Sequence, residues 1–490
     1  MSDPAPTVWS TLREAVRGTN ADLTAIPIRR AVVLLAVPTV LEMSMESVLT
    51  VVDIFFVSRL GSDAVATVGL TESMLSPMYA LAMGLSAAAT ATISRRAGEK
   101  DWDGAAVAAF QVIVVAIALA ATLGAIGFFL SPNLLAAMGA DAAIVASGST
   151  YTAVMLGGSL TILLLFVINA IFRSVGDAAV AMRSLWLANI VNMVLAPCFI
   201  FGIGPIPRMG VLGAAVATTV GRGAGVAYQL VVLARKSGHL TIARRHVGIR
   251  LSLVVDLVRL ATPATGQVLI ETASWVALMR IVSTYGSAAL AGYTIAMRVA
   301  IFALLPSWGL AQAAATLVGQ NLGAGLADRA RQSVWTIARY NVAFLGPVGL
   351  LFALTPGFLV AFFASDPVVA AYAADCLRIV AFGFVVFAFG MVAVQAFNGA
   401  GDTTTPMWVN LASFWFFKIP CAYVLAKVVG LGPRGAFLAI TMAYAVQSIA
   451  SGVLFRRGGW EKRRVLETDA RRQMRTFSVR GRARPIVRRR

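Results

Sequence analysis

Hydrophobic positions in this chain come in long unbroken runs. Twelve mostly apolar stretches, 31–57, 64–93, 105–130, 150–172, 184–203, 211–234, 257–284, 288–318, 335–355, 372–397, 407–426 and 435–455, are separated by short polar connections. Runs of roughly 20 residues match the length a helix needs to cross a bilayer. The pattern predicts an all-α membrane protein with twelve transmembrane helices.

The first six runs overlay the last six. Adding 225 to a position carries Pro38 to Pro263, Glu46 to Glu271, Ser58 to Ser283, Gly61 to Gly286, Gly84 to Gly309, Gly98 to Gly323, Asp177 to Asp402 and Gly210 to Gly435, which implies no net insertion. An internal repeat in a multi-span chain is a property of secondary transporters, whose substrate path lies between the halves. Each half has an even number of spans, so the second starts on the same side as the first. The expected arrangement is two six-helix lobes related by a pseudo-twofold axis along the membrane normal. The expected segments are an interfacial N-terminal piece (1–30), a first lobe (31–234), a basic, flexible linker (235–256), a second lobe (257–455) and an Arg-rich, disordered tail (456–490). Val8, Leu12 and Val16 with Trp9 suggest that the first segment holds a short interfacial helix.

Composition agrees, with 59% hydrophobic and 13% charged residues against a norm for soluble chains of about half and a quarter. The net charge of +19 could suggest nucleic-acid binding, but its distribution argues otherwise. Lys and Arg gather in the two tails and the even-numbered connections, which predicts that both termini and the central linker are cytoplasmic. This places the chain as a multi-pass protein of a cytoplasmic (inner or plasma) membrane, with anionic lipid headgroups as the expected partner of the tail. No specific nucleic-acid partner is expected, and the chain is read as a monomer. Cys198, Cys376 and Cys421 show neither metal-ligand nor disulfide spacing, and the two histidines, His239 and His246, both fall in the linker. No metal cluster or nucleophile constellation emerges, so the reading is not an enzyme and requires no cofactor.

Acids inside the apolar runs carry the functional expectation. Glu42, Glu46 and Asp53 in the first run lie within about 40° of one another on a helix, so this stripe should face the protein interior. Such a cluster can hold a proton near neutral pH or take up a small cation. Glu42 and Asp53 also have a bland reading, since both sit near the ends of the run and could reach headgroup water, with Asp53 close to Arg59. In the second half Glu271 is the lone acid between Ala261 and Leu278. Arg280 and Arg298 are nearby candidates to pair with it or with Glu72. Pro38 and Pro263 interrupt helical hydrogen bonding and serve either as gating bends or as static kinks. Gly176-Asp177 and Gly401-Asp402 read as turns and helix caps. The glycines from Gly319 to Gly325 read as the exit of the eighth span and lack the Lys-Ser/Thr of a phosphate loop.

The chain resembles the multidrug and toxic compound extrusion (MATE) family over roughly residues 30–455. The likeness rests on Val52-Asp53-Ile54-Phe55-Phe56-Val57-Ser58-Arg59-Leu60-Gly61, on Phe172-Arg173-Ser174-Val175-Gly176-Asp177, and on Ala296-Met297-Arg298 with Pro306, Gly309 and Val318 to Gly325. The resemblance implies a V-shaped pair of lobes that exports amphipathic, often cationic compounds in exchange for H⁺ or Na⁺. It implies coupling roles for Asp53, Glu271 and Asn192, with Na⁺ at Asp53/Asn192 or at Glu271 as the metal alternative. Two departures stand out: Ala196 precedes Pro197 where many relatives have an aspartate, and no acid lies between Ala381 and Phe397. Glu42 and Glu46 are the acids available to substitute. Met83, Trp275, Met279, Phe302 and Trp308 are candidate cavity walls for an organic cation, since Met and aromatic side chains adapt to such ligands. A lipid-linked oligosaccharide flippase of the same broad superfamily is the alternative, with its anionic cargo kept in play by Arg280 and Arg298.

Overall fold

A computed structural model describes residues 7–19, 21–204, 207–235 and 240–462. The tail expected to be disordered and lipid-bound lies outside the described residues from 463 onward, as does His239. Nearly all the rest is helix. A surface helix α1 (Val8–Arg17) precedes the first half, α2 (Ile28–Ser58), α3 (Ser62–Gly98), α4 (Trp102–Phe129), α5 (Ser131–Ala137), α6 (Ala142–Gly157), α7 (Ser159–Ser174), α8 (Ala178–Phe201) and α9 (Val211–Ala234). The second half repeats them as α10 (Leu251–Ser283), α11 (Ser287–Gly323), α12 (Ala327–Leu354), α13 (Pro356–Ala361), α14 (Pro367–Phe382), α15 (Phe384–Ala400), α16 (Thr404–Asn410), α17 (Ile419–Tyr423) and α18 (Pro433–Arg456).

Eleven spans among the described residues are each long and apolar enough to cross a membrane, and α14 with α15, bent by 57°, forms the twelfth. The break at Gly383 matches the break at Gly158 between α6 and α7, and each glycine faces a threonine of its lobe's last helix, Thr441 and Thr219. The short α5 and α13 are additional to the twelve runs.

The 225-residue register holds through the boundaries of α3/α11 and α4/α12 but slips near the end. π-helical turns at Leu411–Lys418 and Val424–Val428 flank α17 in the eleventh crossing. Gly210 caps α9 with φ 57° and ψ −133°, and the residue in that state before α18 is Gly432, with φ 60° and ψ −144°. The counterpart of Gly210 is therefore Gly432, not Gly435. Gly435 matches Gly213 instead, each pressed against the backbone of the preceding crossing.

The lobes meet on a symmetric seam. A Cβ on Gly98 would lie 1.9 Å from the Gln320 carbonyl oxygen, one on Gly323 would lie 2.0 Å from that of Arg95, and one on Gly319 would strike Ser94. These partners exchange under the repeat, so the pseudo-twofold axis passes through the α3–α11 crossing. The glycines from Gly319 to Gly323 are thus helical residues that permit close packing rather than a loop leaving the membrane. Gly84 against Thr265 of α10 and Gly309 against Thr39 of α2 extend the seam. At the other end of α3, Gly69 has nothing within 4 Å. Gly98→Ala should cost about 1–3 kcal/mol by overpacking, while Gly69→Ala should cost nothing. Equilibrium unfolding in mixed micelles checks the difference, and equal behaviour of the two would remove the seam as a packing constraint.

Each half has its own apolar core. A third cluster joins Leu34 and Leu35 of α2 to Ala314 and Leu317 of α11 and Val334 of α12, so the first turns of α2 lean on the opposite lobe. The segment before α10 is not a free tether where it is described. Gln111 of α4 donates to the Gly248 carbonyl at 2.7 Å and accepts from the Arg250 N–H at 3.0 Å, and the buried His246 and Arg245 both reach Asp103. The expected N-terminal helix is present as α1, tied to α2 by Glu14–Arg30 at 2.8 Å.

Candidate functional site

Between the lobes, beyond the glycine seam, lies a cavity of about 590 Å³. Glu42 and Glu46 of α2 and Glu271 of α10 all line it, together with Met83, Trp275 and Trp308. Met279 and Phe302 are not among its walls: Met279 is 37% exposed elsewhere, and Phe302 is a half-buried residue of α11. Of the stripe expected of α2, Glu42 and Glu46 line the cavity, and Asp53, about two turns further along, does not.

The three acids of α2 have different surroundings. Glu42 is 2% exposed and does not reach headgroup water. Arg173 of α7 grips it with Nη1 at 2.7 Å from one carboxylate oxygen and 3.0 Å from the other, and Asn169 donates to it at 2.9 Å. Asn169 in turn accepts from Ser184 at 2.8 Å and from Gln229 at 2.6 Å. Glu42 is therefore the centre of a polar network, which is how an ionic group is tolerated in such a place. Glu46 is less committed: it accepts one hydrogen bond, from Asn189 of α8 at 3.2 Å.

Asp53 lies deeper in the first lobe, among Arg222, Glu46, Glu72 and Asn192, and Arg222 is shared between Asp53 and Glu46. Arg59 does not neutralise it but stacks over the Phe55 ring at 4.4 Å. Asn192 is buried, donates to Thr218 at 3.2 Å and keeps its carbonyl oxygen without a partner among the described residues. Arg222 donates to the Tyr79 hydroxyl at 2.8 Å. Ala196 is packed in a small apolar cluster beneath this site.

In the second lobe the cation beside Glu271 is Lys418, not Arg280 or Arg298; Arg298 lies nearest Glu72. The Tyr444 hydroxyl donates to Glu271 at 3.1 Å. Lys418 is 1% exposed, donates to Ser274 at 2.7 Å, and lies 5.3 Å over Trp275 and 4.9 Å over Phe414. Sequence reasoning misses Lys418, although a lone base in an apolar run carries the same message as a lone acid. It also misses Arg173, which stands out in the sequence only as part of a motif. The repeat explains their asymmetry. The positions of Glu42 and Arg173 are filled in the second lobe by Gln267 and Asn398, which exchange hydrogen bonds at 3.1 and 3.3 Å.

Pro38 and Pro263 both lie inside continuous helices, α2 and α10. Asp402 precedes α16 and accepts from the Thr405 N–H at 3.4 Å and the Thr405 hydroxyl at 2.7 Å, while the N-cap position itself is Thr403. Asp177 stands at the matching start of α8, against Gly18. No group of three His, Cys, Asp or Glu side chains gathers to hold a metal ion among the described residues.

Two pseudo-symmetric helical lobes around a shared, mostly apolar cavity that carries three carboxylates have the architecture of a membrane transporter. A sequence model of the MatE family matches residues 38–198 and again 263–424, one match per lobe, and the chain belongs to that family. It is 26% identical over 452 residues to a probable multidrug resistance protein NorM of Thermotoga maritima, covering 90% of this chain and 95% of that one. It is 25% identical to an FAD transporter of Shewanella oneidensis over 89% of this chain and 96% of that one. Among solved structures it matches an outward-facing multidrug resistance MATE family transporter of the MOP superfamily, with TM-score 0.85 and 25% identity over 90% of this chain and 98% of that one. The chain is thus a multi-pass transporter of the multidrug-efflux family. The comparisons lend no support to an oligosaccharide flippase.

Proposed function

We propose that the protein is a secondary active multidrug exporter of the cytoplasmic membrane, expelling amphipathic organic cations in exchange for H⁺. The observation that carries this reading is that Glu46 and Glu271, mates under the repeat, open on one cavity beside Met83, Trp275 and Trp308. Carboxylates attract a cationic head, and the thioether and indoles accommodate its apolar body. A protonated carboxyl no longer holds a cation, so proton and cargo exclude one another at the same groups. Alternation follows if the two occupants favour different lobe arrangements.

The fixed cations favour H⁺ over Na⁺. Arg222 stands near Asp53 and Lys418 near Glu271; each occupies one side of its carboxylate, which leaves an oxygen for a proton but not the shell of close oxygen ligands a small hard cation needs, while a bulky organic cation engages the carboxylate at longer range. Arg173 is already engaged by Glu42, which leaves Glu46 and Glu271 as the acids free to meet cargo. With the basic connections facing the cytoplasm, the glycine seam closes the cytoplasmic side and the cavity opens outward.

Purified protein in liposomes, supplied separately with a pH gradient and with a Na⁺ gradient, tests the reading. A pH gradient alone should drive accumulation of a cationic dye. Accumulation driven only by Na⁺ would overturn the choice of ion, and none under either gradient would overturn the exporter.

A further inference from the structure

A second cavity, of about 570 Å³, lies outside the transport path. Pro27, Ile28 and Arg29 at the start of α2 form one wall, and Arg329, Gln332, Trp335, Thr336 and Arg339 of α12 form the other. The α12 residues recur every three or four positions, so they make one stripe along about 15 Å of helix. The lining holds three arginines and no acid.

The side chains are poised rather than spent. Arg329 donates to the Leu23 and Ile26 carbonyls, and its Nε is buried without a protein acceptor among the described residues. Arg29 and Arg339 are exposed. Trp335 is fixed by stacking on Phe389 at 5.4 Å and by Arg456 over its ring at 5.6 Å. The apolar part of α12 begins just beyond Arg339, so the stripe stands where headgroups meet hydrocarbon, with an indole at the boundary.

The repeat supplies an internal comparison. Positions 329, 332, 335, 336 and 339 correspond to Gly104, Val107, Phe110, Gln111 and Val114 of α4. None of these five α4 positions is basic, and the protein closes this seam itself, with Gln111 bonded to the backbone ahead of α10 and Arg96 packed on Gly104. The same place in the second lobe is lined by arginines and left open.

We propose that this pocket binds the phosphate of an anionic phospholipid headgroup, bridging α2 of the first lobe to α12 of the second and so holding the seam closed. Guanidinium groups suit phosphate oxygens, and basic pockets between helices at the cytoplasmic surface take such headgroups. The bridge acts on lobe motion whatever the cargo, and its binding test is independent of transport.

The test uses the full chain in detergent and native mass spectrometry with phosphatidylglycerol, phosphatidylcholine or inorganic phosphate. The unmodified protein should hold phosphatidylglycerol at least about tenfold more tightly than phosphatidylcholine, and R29Q/R339Q should lose that preference. Both side chains are exposed, so folding should survive, and the melting temperature in phosphatidylcholine checks this. The Arg-rich tail is the same in both proteins and cancels. Retention of phosphatidylglycerol by R29Q/R339Q at unchanged affinity would overturn the proposal. So would inorganic phosphate competing as well as the lipid, which would assign the pocket to a soluble anion.

Discussion

Glu42→Ala or Arg173→Ala alone should each destabilise the protein by about 3–5 kcal/mol, whereas E42Q/R173N should come within about 1 kcal/mol of the parent. Either single change strands a charge that is itself almost wholly buried, since Glu42 is 2% and Arg173 8% exposed. The double change converts the pair into the one the protein already uses across the axis, where Gln267 and Asn398 bond reciprocally. Asn169, Ser184 and Gln229 keep their bonds to one another. Equilibrium unfolding in mixed micelles compares the three variants with the parent. The same double variant should still transport, because Glu42 holds the lobe together while Glu46 and Glu271 serve the cargo. Single variants costing under about 1 kcal/mol would mean that the ion pair is not formed, and a double variant that folds but does not transport would return Glu42 to the coupling machinery.

Glu271→Gln should lower proton-driven dye accumulation by at least about tenfold, equivalent to about 1.4 kcal/mol of coupling. Glutamine preserves the shape of the side chain and can still accept from Tyr444, but it cannot gain or lose a proton. Lys418 would lose its counter-charge yet keep the Ser274 hydroxyl and the faces of Trp275 and Phe414, so the variant should be made at normal levels. Its dye-binding affinity should no longer respond to pH through this site. Full-rate accumulation by well-expressed Glu271→Gln would remove Glu271 from the mechanism.

Much of the architecture is legible in the sequence. A bilayer imposes long apolar runs, and duplication imposes a constant offset, so span number and lobe pairing follow from pattern alone. Intramembrane acids stand out because lipid penalises them, which is enough to mark Glu42, Glu46 and Glu271 as candidates. What stays hidden depends on partners from other helices. Glu42 and Arg173 lie 131 residues apart, and nothing along the chain joins them. Lys418 and Tyr444 meet Glu271 only after α16, α17 and α18 fold against α10. The Met279 and Phe302 assignments fail for a related reason, since residue type does not say which way a helix turns. The glycines from Gly319 to Gly323 look like a loop because packing against a second lobe leaves no local trace.

The central claim is that two symmetry-related carboxylates in one inter-lobe cavity couple the proton gradient to cargo. Its most direct test is E46Q/E271Q in proteoliposomes under an imposed pH gradient, with dye followed to steady state. The account predicts that dye is no longer concentrated against its gradient. Concentration of dye to the level reached by the parent protein would contradict it.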